Sequence, residues 1–167
     1  MSLLAAALSR AQDFLLTPAG RVPGVAVSAD AARPLDVAVV GLRPRSGASL
    51  VASGLARALS SAGLVRALVA EVTPAELVPH RADLTVLVVP GDVEPALVSV
   101  VTRILGARIG RVVVVANRVH ERERWAGRAA VCVPESRVGA ALAERGLMPP
   151  GALGAALARL AEIVAEP

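Results

Sequence analysis

A chain of 167 residues that is 54% hydrophobic yet only 1% aromatic must build its core from Val, Leu and Ala, which fits one α/β domain and leaves few rings for stacking bases. The net charge of +4 is carried by 18 arginines against 14 acids, with no lysine in the chain. That basicity permits an anionic partner, but without interleaved aromatic residues no nucleic-acid partner is expected.

Other classes fall away on similar grounds. No apolar run reaches the roughly 18 residues a membrane-spanning helix needs. The first residues carry no basic segment ahead of a long apolar stretch, so a cytoplasmic protein is expected. Cys132 is the single cysteine, which rules out an internal disulfide, and its apolar neighbours predict an inert core thiol. His80 and His120 fall in separate loops, and no metal site is expected.

In chain order, residues 1–17 read as an amphipathic helix whose apolar stripe holds Leu4, Leu8, Ala11 and Leu15, widened by Phe14. Alone, such a helix is marginal in water, so it should dock on its own domain, on a protein partner, or peripherally on a membrane. Its polar face is poor in arginine, which ranks the membrane last. Residues 18–35 hold closely spaced Pro and Gly and read as a linker. Residues 36–167 form the domain.

Within that domain, Val37 to Val40 predict a strand that ends at Gly41, and Ala48 to Ser61 predict a helix closed by Gly63. Leu64 to Glu71 predict a second strand, with Glu71 its terminal acid. The eleven residues from Thr73 to Asp83 include Pro74 and Pro79 and cannot hold a further strand and helix. Leu84 to Val89 predict a third strand, and Pro95 to Leu105 a helix whose start is marked by Asp92 and Pro95. A fourth strand spans Arg111 to Ala116 and ends at Asn117. The charged segment Arg118 to Arg128 reads as a solvated turn or short helix, with Trp125 folded over the sheet edge or exposed as an interface. A fifth strand spans Ala130 to Val133 and stops at Pro134; helices follow at Arg137 to Arg145 and Gly151 to Ala165. Strands alternating with helices predict a three-layer α/β fold with a mainly parallel sheet of about five strands and helices on both faces.

The chemistry concentrates between Gly41 and Ser49. A strand, a turn-rich loop and a helix can hold a phosphate at the helix N-terminus. Here Ala48 stands between Gly47 and Ser49, where a phosphate loop carries its lysine. Arg43 and Arg45 could offer guanidinium groups to an anion, or could be solvated loop charges. Ser46 and Ser49 have no evident His–Asp pair, so nucleophilic catalysis is not expected. A Rossmann-type dinucleotide site is an alternative, but it lacks a GxGxxG and has only Glu71 to bind a ribose.

The ordered set DVAVVGLRPRSGASLVASGLARAL, ADLTVLVVPGDVEPALVSVVTRI, RVVVVANRV and AAVCVPESRVGAALAERG resembles the MinD/ParA group of P-loop ATPases, in particular the CpaE/TadZ branch associated with Flp/Tad pili and septum-site proteins. Gly41, Arg43, Gly47, Ala48, Ser49 and Ala52 match a loop of the form G-x-R-G-G-x-G-A-S-x-x-A, with Pro44 and Arg45 replacing two glycines. The resemblance implies a reduced P-loop fold in which Arg43 would reach a partner's phosphates, Ser49 would meet magnesium, Asn117 would read the adenine edge and Pro134 would line the base pocket. With the lysine replaced and the switch segment deleted, it implies a domain with no cofactor and no catalytic residues. That domain would act by protein–protein contact as a scaffold or localisation factor, through the N-terminal helix or the altered loop face, with a homodimer as one form. The alternative is a weak ATPase or nucleotide switch using ATP and magnesium at Gly41, Arg43, Arg45, Gly47, Ser49, Asn117 and Pro134.

Overall fold

The computed structural model describes residues 34–63, 67–72 and 82–166, all within one unit spanning Arg33–Pro167. The helix expected over 1–17, with Leu4, Leu8, Ala11, Phe14 and Leu15, and nearly all of the expected linker lie outside the described residues.

The elements run β1 (Leu35–Gly41), α1 (Ala48–Ser61), β2 (Ala67–Val72), β3 (Leu84–Pro90), α2 (Pro95–Ile109), β4 (Arg111–Asn117), a 3-10 turn (Arg122–Trp125), β5 (Val131–Val133), α3 (Arg137–Glu144) and α4 (Gly151–Ala165). All five strands are parallel, in the order β2-β1-β3-β4-β5. The expected α/β architecture is therefore present. α2 runs one turn beyond the expected Leu105, because the apolar residues continue to Ile109 and Gly110, at φ 84, then ends it. The first strand also starts earlier, at Leu35, and the described part of the second begins at Ala67.

The strands are valine-rich because both sides of the sheet are covered, so successive positions on either face are mostly apolar. Val39, Val86 and Val113 stand in register across three strands and point into one core, where Val51, Leu55 and Leu59 of α1 meet Leu153, Leu157 and Leu160 of α4. One residue further along, Val40, Leu87 and Val114 point the other way, into a second core with Val98 of α2. This inversion at each step is the period of two of a strand. α1 and α4 approach closely because Gly54 has no side chain: a Cβ there would lie 2.4 Å from Leu157 Cδ1.

The second face carries α2 as its one described helix, and the 3-10 turn completes the cover. Trp125, in a turn of charged neighbours, is 1% exposed and belongs to that second core with Val119. Of the two expectations for this residue, burial against the sheet is the one found. Cys132 is half-buried beside the same core, and burial pushes its thiol up from its ordinary value, which keeps it in the unreactive neutral form. The outer side of α2 is itself apolar, with Leu97, Val100 and Ile104 each 42–54% exposed at helical spacing. No helix among the described residues is long and apolar enough to cross a membrane.

Leu157 is fully buried against both α1 and the sheet. Leu157→Ala should cost about 3 kcal/mol, through lost burial and an unfilled cavity, measured by denaturant unfolding.

Candidate functional site

The order β2-β1-β3-β4-β5 reverses direction at β1: the chain leaves β1 to one side for β2 and then to the other for β3. In an open parallel sheet the crevice at such a reversal, outside the carboxyl ends of the strands, is where ligands bind. Here the loops after β1, β3, β4 and β5 meet around a cleft of about 630 Å³.

The loop after β1 is a tight turn. Ser46 N–H donates to Arg43 O (3.2 Å), closing a four-residue turn with Pro44 second and Arg45 third. Arg45 has φ 65, so the turn has the type II signature of proline followed by a left-handed residue, a place usually taken by glycine. Pro44, with its fixed φ, is thus the residue that presets this turn. The Ser46 side chain completes it: the hydroxyl donates to Arg43 O at 2.6 Å and accepts from Arg43 N–H at 3.1 Å. Ser46 is 2% exposed and its hydroxyl is fully engaged within the loop.

Asn117 ties this turn to the end of β4. Its Nδ2 donates to Ser46 O at 2.8 Å, and its Oδ1 accepts from Arg118 N–H at 3.0 Å. The amide is 3% exposed. Gly47, at φ 86, leaves the space for it, since a Cβ there would lie 2.1 Å from Asn117 Nδ2. Gly47 therefore serves a close approach as well as the left-handed cap of α1.

Arg43 spans the cleft mouth. Its Nη2 donates to both carboxylate oxygens of Asp92, at 2.7 and 2.6 Å, joining the loop after β1 to the loop after β3. Asp92 was expected to mark the start of α2; instead Glu94 precedes the helix without a side-chain cap, and the Asp92 carboxylate goes to Arg43. The hydrogen bond from Arg43 holds the Asp92 carboxyl below its ordinary value, and the charge of Arg118 acts in the same direction. Gly91, in the loop after β3, lies against the end of β4: its N–H donates to Asn117 O at 2.7 Å, and a Cβ on it would lie 2.6 Å from Arg118 O.

The other sequence-derived candidates are spread around this centre. Gly41 ends β1 beneath the turn; its Cβ would meet Ser46 Cβ at 3.2 Å. Ser49 is exposed in the first turn of α1, Pro134 is half-buried after β5, and Glu71 is exposed in β2; none of the three lines the cleft. Arg43 and Arg45 do line it, with Arg118, His120, Glu121, Arg124 and Glu135. His120 Nε2 lies 3.6 Å from Glu135, and Arg124 lies 3.5 Å from Glu94. Sequence reasoning missed Arg118, whose left-handed backbone (φ 58) has no signal in residue type, and Ser46, whose role depends on the turn geometry. No family model, curated protein or solved structure matches the chain.

Asn117→Ala should cost about 2 kcal/mol by leaving Ser46 O and the Arg118 N–H without their buried partner, read from chemical unfolding. A lowered folded-state value means that the Arg43–Asp92 bridge is fully in place above the ordinary 3.8 and is lost as pH falls through the lower folded value. Carboxyl NMR titration should therefore place Asp92 below 3.8, and Arg43→Ala should bring it back towards that number.

Proposed function

We propose that this is a non-catalytic, MinD/ParA-like α/β domain that acts in the cytoplasm through protein–protein contact, as a scaffold or localisation factor of a pilus or cell-pole system. The observation that carries this reading is the use of the loop's polar groups. A loop that cradles phosphate must keep backbone N–H groups and side-chain donors free for it. Here the Arg43 and Ser46 N–H groups are spent inside the turn, Arg43 is paired with Asp92, and Asn117 holds the Ser46 carbonyl. The residue in the lysine place, Ala48, is 7% exposed and packs into the first core.

Phosphoryl transfer draws its rate from positioning and from positive charge at developing oxyanions. The loop's hydrogen bonds are directed instead at closing its own turn and at holding it to the loop after β3 and to the end of β4. The apolar stripe Leu97, Val100 and Ile104 on α2 supports contact with another protein, because exposed apolar surface of this kind is what such contacts cover.

Titration of ATP with magnesium in a calorimeter should give no micromolar binding and no turnover; micromolar binding with phosphate release overturns the reading. In the same preparation, Leu97→Glu with Ile104→Glu should leave the melting temperature within about 2 °C, because both side chains are half in water, and should abolish co-purification of the partner.

A further inference from the structure

We draw no further inference here: the strongest candidate, the apolar surface patch of Leu97, Val100 and Ile104 on the outer side of α2, belongs to the contact surface already proposed, and nothing in the structure shows what covers it.

Discussion

Burial of the sheet on both faces is the constraint from which the rest follows. Val39, Val86 and Val113 face one core and Val40, Leu87 and Val114 the other, so the strands have no side left for polar chemistry. Thr85 is the one buried polar side chain inside β1, β3 or β4 ahead of their ends; Asn117 is the last residue of β4, and Ser46 lies in the loop after β1. Polar function is thereby driven to the carboxyl edge, where strands end and backbone groups need new partners. The edge satisfies them with its own atoms: a serine hydroxyl closes a turn, an asparagine amide holds that turn to the next strand but one, and an arginine bridges two loops.

Pro44 and Arg45 take on a defined role against that background. In space they build a tight turn, with a preset φ at Pro44, a left-handed Arg45 and a hydroxyl that locks both sides. The result is a compact turn pressed onto β4, at the cost of a strained arginine. Hydrogen bonds to a buried amide and relief of an orphaned carbonyl outweigh about 1 kcal/mol of backbone strain, which is why the conformation holds.

Much of the fold was legible because its signals are local. The valine runs at residues 37–40, 84–89 and 111–116 announce buried strands, and Gly63 and Pro95 punctuate the helices where sequence patterns place them. The site was harder to read because its relations are distant. Nothing near residue 92 shows that its carboxylate belongs to Arg43, 49 positions earlier, and nothing near Asn117 shows that its amide belongs to Ser46, 71 positions away. Trp125 illustrates the same limit: its neighbours are charged, yet its ring is buried, because the second face carries α2 as its one described helix and the turn must supply the remaining cover. Composition identified these residues as notable, and only topology supplied their partners.

Gly91 carries a last consequence. Its absent side chain lets the main chain after β3 lie directly against that after β4, so the base of the cleft between them is peptide backbone. Backbone offers the same groups whatever the side chains, and it cannot be retuned by substitution without forcing the loops apart. The character of this cleft is therefore open to change only at its walls, at residues such as Arg45, Arg118 and Glu121, while its depth is fixed by the spacing of two adjacent strands.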